Sequence, residues 1–229
     1  MQARPAKPKI RPSVIHLILY SLIAGLIIGI SALSLFLLYD QFRSQSESDH
    51  IQDKVLDLFD GTIEIDPPIA IPDIELRNTA NERRRFGELQ GRFVLLTFGF
   101  THCPDICPLT LSDFQRIQSE LESLAEKVHF VFISVDGARD TPAALRQYFS
   151  FRGLDGIMAL TGDEDDVRAF GAPLGLAFEV SEEESPGGYL VNHSAGAFLL
   201  DQNGGWIMRY QFGVPPGTIV SDLRRLLEA

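Results

Sequence analysis

Two largely apolar runs, the continuous Phe93-Val94-Leu95-Leu96-Thr97-Phe98 and a second at residues 128–135, set the frame for everything around them. A run without polar alternation reads as a strand covered on both faces, so each needs packing partners above and below the sheet. Between the runs, Leu111, Phe114, Ile117, Leu121 and Leu124 recur at helical spacing, with Asp113, Glu120, Glu122 and Glu126 on the other sides. That pattern predicts an amphipathic helix of about five turns. Thr141-Pro142 then opens a second helix, with threonine as N-cap and proline at the first helical position. Strand, helix, strand, helix is the order of a right-handed parallel unit. Residues 69–76 read as a strand or hairpin ahead of it and residues 88–91 as a turn. Residues 176–180, 189–200 and 206–212 supply further strands. Residues 218–227 close the chain as a helix whose core face is Ile219, Val220, Leu223, Leu226 and Leu227. The expected fold is an α/β sandwich around a mixed sheet.

The chain of 229 residues has room for one ordinary domain plus an anchor and a linker. Residues 14–39 contain no fully charged side chain, and His16 is their only imidazole. A membrane-crossing helix needs about 20 apolar residues, whereas a cleaved signal has an apolar core of roughly 7–15 residues ending at a small-residue cut. Leu35-Phe36-Leu37-Leu38-Tyr39 offers no such cut, so a single N-terminal transmembrane helix is expected. Arg4, Lys7, Lys9 and Arg11 precede it; Asp40, Arg43, Glu47 and Asp49 follow it. The positive-inside rule keeps residues 1–13 in the cytoplasm and exports the remainder. The simplest setting is the bacterial inner membrane, single-pass, with a periplasmic C-terminal domain. Residues 40–67 read as a tether, polar at Ser44-Gln45-Ser46-Glu47-Ser48-Asp49 and stiffened at Asp66-Pro67-Pro68. The alternating apolar residues within 51–65 have no assigned role. The domain proper is expected over residues 68–229. Ser21, Gly25 and Gly29, spaced by four, could pack two spans into a homodimer.

Beyond residue 43 the chain has 15 basic and 30 acidic side chains, a net charge of −15. That argues against nucleic acid and against an anionic membrane surface as partners, and permits a metal cation or a basic docking face. Asp163-Glu164-Asp165-Asp166 is better read as a helix start than as a metal site. Glu182-Glu183-Glu184 is read as a solvated loop tip.

Both cysteines lie in Phe98-Gly99-Phe100-Thr101-His102-Cys103-Pro104-Asp105-Ile106-Cys107-Pro108, between the end of a buried strand and the start of a helix. Reactive groups collect at that position in open α/β sheets. In an oxidising compartment a structural disulfide is the ordinary reading of two cysteines. Pro108 fits the first helical turn, which places Cys107 at the helix N-terminus, where a thiolate is favoured. If the loop winds like a helical turn, the spacing of four puts both sulfurs on one face, able to share a metal or close a disulfide. Soft thiolates select Cu(I) and zinc, and copper also accepts imidazole. Among the five histidines, His16 lies in the span, His50 in the tether and His129 in a buried strand. His102 adjoins Cys103, with its side chain expected to point away. His193, in a strand after Gly187-Gly188, is readable equally as a ligand or as a hydrogen-bonded core histidine.

Three blocks in order resemble the Sco (SenC) family: residues 99–108, then Ile133-Ser134-Val135-Asp136 with Arg139-Asp140-Thr141-Pro142, then Tyr189-Leu190-Val191-Asn192-His193-Ser194. The resemblance covers residues 68–229. It implies a thioredoxin-like domain behind a membrane anchor and copper, one per chain, bound by Cys103, Cys107 and His193. It further implies a role in building the dinuclear copper centre of cytochrome c oxidase subunit II or a related copper oxidase. Copper delivery without turnover is one mechanism attributed to such proteins. Another is reduction of the recipient's cysteine pair by Cys103 and Cys107, so that another periplasmic copper chaperone can load it. A redox sensor and a structural domain with an inert disulfide are the remaining alternatives. Asn192 stands where many relatives carry aspartate, and Gly137 where proline is common. Asp136 is readable as an acceptor supporting the site or as a turn cap.

Overall fold

The computed structural model describes residues 61–185 and 188–228, together with Leu22, Leu26 and Ser34, which are helical. The expected transmembrane segment at 14–39 and the tether up to residue 60 otherwise lie outside the described residues, as do His16 and His50. Among the described residues, no helix is long and apolar enough to cross a membrane. The chain divides into two units, Met1–Phe59 and Asp60–Ala229, and nearly everything described belongs to the second.

In that unit, the strands are β1 (Thr62–Ala70), β2 (Glu75–Asn78), β3 (Arg83–Arg85), β4 (Phe93–Gly99), β5 (Val128–Ser134), β6 (Ile157–Thr161), β7 (Phe178–Ser185), β8 (Gly188–His193), β9 (Ala197–Leu200) and β10 (Gly205–Tyr210). The helices are α1 (Ile106–Leu121), α2 (Pro142–Arg152), α3 (Glu164–Gly171) and α4 (Pro216–Leu227). Among the described residues, eight strands form one mixed sheet in the order β1-β10-β9-β4-β5-β6-β2-β3, and β7 with β8 forms a separate hairpin. β4, β5 and β6 run parallel. β4 is buried along its whole length and β5 at every position but His129, as strands covered on both faces require.

Alternation along β4 divides the core into two layers. Phe93 and Leu95 meet Leu111, Phe114 and Ile117 of α1, Leu145 of α2 and Leu223 of α4. Val94, Leu96 and Phe98 meet Phe170 of α3 and Phe178 and Val191 of the hairpin. The second layer therefore depends on side-chain packing to hold β7 and β8, since no ladder joins them to the main sheet among the described residues.

Several boundaries differ from expectation. Residues 62–67, assigned to the tether, belong to β1, which pairs with β10; its register shifts between Glu64 and Ile69, where Pro67 and Pro68 cannot donate to a ladder. Residues 69–76 are not one strand, because β1 and β2 pair with β10 and β6 on opposite sides of the sheet. The stretch 189–200 breaks after His193, and β8 and β9 join different sheets. Gly196 sits in that break at φ +133°, with the Tyr210 carbonyl oxygen 2.4 Å from where a Cβ would lie. Residues 182–184 lie within β7 rather than in a loop. The first long helix stops at Leu121, and Glu122, at φ 53°, begins a 3-10 turn that carries Leu124. Thr141 caps α2 through its hydroxyl, which accepts from the Ala144 N–H at 3.3 Å, and Pro142 opens the helix as expected.

Phe170 is fully buried between Phe86 and Phe98, with ring centroids 4.6 and 6.2 Å away. Phe170→Ala should lower unfolding stability by about 3–5 kcal/mol, measured by urea denaturation. Phe151→Ala, at a side chain that is 88% exposed, should change it by less than about 0.5 kcal/mol. Similar effects from the two would mean that the second layer is not a packed core.

Candidate metal centre

The cysteine loop begins where β4 ends. A Cβ on Gly99 would lie 2.8 Å from Cys107 Sγ and 2.7 Å from Phe132 Cε2, so only glycine lets α1 start this close to the strand. The chain turns with the Cys103 N–H donating to the Phe100 carbonyl at 3.2 Å, and α1 opens at Ile106. Pro108 falls in the first turn, where no N–H is needed. Asp105 occupies the N-cap position but makes no side-chain cap. The amides of Asp105, Ile106 and Cys107 donate instead to the Cys103 sulfur. That sulfur supplies the acceptor that the first turn of a helix otherwise lacks.

The thiolate therefore belongs on Cys103, not on Cys107 as helix position alone predicts. A hydrogen bond from the Cys107 thiol, strengthened by those amides, lowers the Cys103 pKa to about 5. The same shared bond, together with burial, pushes the Cys107 thiol up, even though the Phe100 N–H points at it. Cys107 is 3% exposed, and Cys103 is the more accessible of the two.

His193 ends β8. Its Nδ1 lies 3.0 Å from the Ser194 carbonyl, which accepts the Nδ1 proton and leaves the Nε2 lone pair toward Cys107 Sγ, 3.7 Å away. The imidazole stands edge-on to Phe100, with centroids 6.0 Å apart. A separation of 3.7 Å is the edge spanned by metal–sulfur and metal–nitrogen bonds of about 2.3 and 2.0 Å in a trigonal or tetrahedral site. Two sulfurs and one imidazole are a soft donor set, which suits copper. Among the described residues, only His102, Asp136 and Asp140 bring three ligand atoms within 4.8 Å of one another. With Cys103 hydrogen-bonded to Cys107 and Cys107 next to His193, the wide edge is the one from Cys103 to His193. Closing it requires a movement of the loop or of the hairpin.

The remaining candidates separate cleanly. His102 is exposed and turns to Thr101 Oγ1, 3.1 Å from its Nδ1. His129 is half-buried in β5, where burial and the charge of Arg92 lower its pKa. Asp163 caps α3 by accepting the Asp165 N–H at 3.1 Å. The oxygens of Asp136 and Asp140 are engaged by protein donors, so their approach to His102 needs no metal to account for it.

Those two carboxylates tie the three sequence blocks together. Asp140, with no exposed surface, accepts from the Thr101 N–H at 2.9 Å, the Thr101 hydroxyl at 2.5 Å and the Ser134 hydroxyl at 2.6 Å. Asp136 accepts from Arg139 Nε at 2.5 Å and from the Tyr189 hydroxyl at 2.7 Å. It also accepts from the Arg139 N–H at 3.4 Å, so it both closes its own turn and reaches β8. The Arg139 guanidinium lies 3.6 Å from the Tyr189 ring centroid and donates to the Tyr189 carbonyl at 2.8 Å. Thr101, Ser134 and Tyr189 were legible as parts of matching blocks, but their joint role depends on tertiary contacts. A Cβ on Gly137 would sit 2.2 Å from the Gly162 carbonyl oxygen, so the proline common in relatives would force residues 161–162 away. Asn192 is exposed beside His193 on an alternating strand, which turns its amide away from the cysteines.

In the reduced protein, thiolate absorbance should titrate one sulfur with a midpoint near pH 5, because a lowered pKa leaves Cys103 ionised at every higher pH. Alkylation at pH 6 should label Cys103 first and leave Cys107 intact. First labelling at Cys107, or a midpoint near the ordinary thiol value of about 8.5, would reverse the assignment.

The sequence profile of the SCO1/SenC family matches residues 65–228. A relative from Stutzerimonas stutzeri is 39% identical over 136 residues, covering 59% of this chain and 66% of its own length. Yeast Sco1 with copper bound superposes with a TM-score of 0.64 at 29% identity, covering 71% of this chain and 90% of that one. Bradyrhizobium japonicum ScoI with copper bound gives a TM-score of 0.62 at 28% identity, covering 68% and 98%. The mixed α/β architecture, the cysteine loop at the end of β4 and the profile match over most of the chain agree: this protein belongs to the SCO1/SenC family.

Proposed function

We propose that this protein is a metallochaperone that carries one copper ion on Cys103, Cys107 and His193. Its destination would be the dinuclear copper centre of cytochrome c oxidase subunit II. The observation that carries the reading is the 3.7 Å approach of His193 Nε2 to Cys107 Sγ, with Cys103 hydrogen-bonded to the same sulfur. Family membership supports copper and oxidase assembly, since copper is bound in the yeast and Bradyrhizobium structures and the Sco family is one of cytochrome c oxidase assembly proteins. Copper here is cargo. Cys103 is already ionised and accessible, so it can engage an incoming ion or be displaced by a recipient thiolate. Cys107 and His193 hold the interior side. The setting that fits is the periplasmic face of a bacterial inner membrane, with residues 14–39 as anchor. A second periplasmic copper chaperone would collaborate in loading.

The asymmetry of the cysteine pair supports a second reading as a thiol–disulfide reductant. The Cys103 thiolate would attack the recipient's disulfide, forming a mixed disulfide and releasing one recipient thiolate. Cys107, losing its proton, would then attack Cys103 Sγ and release the second recipient sulfur. The recipient gains two electrons, and the Cys103–Cys107 pair is oxidised to a disulfide.

Copper titration of the reduced protein separates the two readings. One tightly held copper per chain is expected, with a Cu(II)–thiolate absorption band. Binding should be lost or greatly weakened in Cys103→Ser, Cys107→Ser and His193→Ala. Copper held equally well without His193 would remove the three-ligand site and leave the reductant as the better account.

A further inference from the structure

We propose that Arg139 is a positioning residue for His193, holding the histidine-bearing hairpin against the cysteine loop and so setting the width of the metal site. This rests on the three-ligand copper reading. Among the described residues, the β7–β8 hairpin pairs only with itself and makes no ladder to the eight-stranded sheet. Its placement therefore depends on side chains. At the His193 end, Phe178 and Val191 enter the core, and Arg168 donates to the Phe178 carbonyl at 2.9 Å with its guanidinium 4.0 Å from the Phe178 ring centroid. Four residues before His193, the attachment is made by Arg139 and its partner carboxylate.

Arg139 is the group that touches both halves of the site. Its guanidinium lies over the Tyr189 ring, 3.6 Å from the centroid, and donates to the Tyr189 carbonyl at 2.8 Å. The same guanidinium lies 5.8 Å from the ring centroid of Phe100, in the cysteine loop, and Phe100 is the ring that His193 meets edge-on. Asp136 fixes the guanidinium from below through Nε at 2.5 Å and holds the Tyr189 hydroxyl at 2.7 Å. The side chains of Arg139 and Asp136 are 17% and 2% exposed, so this ion pair is shielded from solvent, unlike the exposed pairs along β3. A shielded guanidinium with a planar fork can hold a ring, a carbonyl and a carboxylate together, which an ammonium cannot do.

The consequence for the metal site is geometric. The edge from Cys103 to His193 is the open one, and it closes only if β8 stays docked or moves inward. Releasing the Tyr189 anchor lets β8 drift outward and leaves copper to the two sulfurs. Arg139→Gln should then weaken Cu(II) by about 10–100-fold, as loss of groups supporting a metal ligand commonly does. It should also remove the nitrogen hyperfine structure from the Cu(II) electron paramagnetic resonance spectrum. Tyr189→Phe, which keeps the ring and carbonyl but loses the hydroxyl, should fall between Arg139→Gln and the parent.

The decisive experiment is a double-mutant cycle on the full chain: Arg139→Gln, His193→Ala and both together, each read by Cu(II) titration and electron paramagnetic resonance. Amide hydrogen exchange of the metal-free proteins is read alongside. The proposal predicts no further loss of copper affinity when Arg139→Gln is added to His193→Ala. It also predicts faster exchange confined to β8 in metal-free Arg139→Gln, with β4 and β5 unchanged. A further loss in the double mutant, or faster exchange throughout the sheet, would show general destabilisation and overturn it. So would retention of the nitrogen signal in Arg139→Gln. If His193→Ala alone leaves copper binding intact, the three-ligand reading itself has failed, and that result is distinct from these.

Discussion

The burial of two carboxylates beyond the end of β5 is the constraint around which the site is arranged. Asp140 has no exposed surface and Asp136 is 5% exposed. An ionised carboxylate removed from water is costly unless it is paired and hydrogen-bonded, and losing one partner of a buried pair costs about 3–5 kcal/mol. Burial pushes the Asp140 carboxyl above its usual range, and three donors work against that shift. Two of those donors come from Thr101, two residues before Cys103, and the third from Ser134 at the end of β5. Asp136 draws its donors from Arg139 and from Tyr189 of β8. Satisfying the pair therefore fixes the cysteine loop and the histidine strand relative to the same turn.

That arrangement explains why three separated sequence blocks act as one site. β4 and β5 are neighbours in perfect parallel register from Phe93↔Val128 to Gly99↔Ser134, so their loops emerge side by side. The hairpin arrives from the opposite layer and has no such register to guide it. It carries His193, the proposed ligand, but its placement is set by Tyr189, Phe178 and Val191. Without ladder bonds to the main sheet, the position of the histidine strand depends on those side-chain contacts.

The parts of this structure legible in the sequence were those governed by local pattern. The runs at 93–98 and 128–135 announced doubly covered strands, and Thr141-Pro142 announced a capped helix, because patterning and capping act over a few residues. Cys103, Cys107 and His193 were named from the cysteine loop and the family resemblance, and the fold brings Cys107 to His193. The reading failed where partners far along the chain decide. Residues 62–67 look like linker until β10 offers them a ladder. The stretch 189–200 looks like one strand until Gly196 approaches the Tyr210 carbonyl and β8 leaves for the hairpin. Helix position alone gave the thiolate to Cys107. It could not show that Cys103 curls back to collect the first-turn amides, or that Gly99 lets Cys107 bury itself.

The unequal cysteines bear on how any recipient must approach. A thiolate that already accepts three backbone N–H groups and a thiol proton is stabilised as an anion and correspondingly less nucleophilic. It is therefore a good leaving group and a good provisional ligand, more than an aggressive attacker. Cys107, buried and protonated, directs its thiol proton to Cys103 and becomes reactive only when that proton is removed, while Nε2 of His193 lies 3.7 Å from its sulfur. Under the proposed copper reading, entry and exit would run through Cys103, with Cys107 and His193 as the inner pair. Delivery and reduction share that polarity. They differ in whether His193 must hold an ion or is dispensable, and this is why the histidine strand, rather than the cysteine loop, is the part of the structure that distinguishes them.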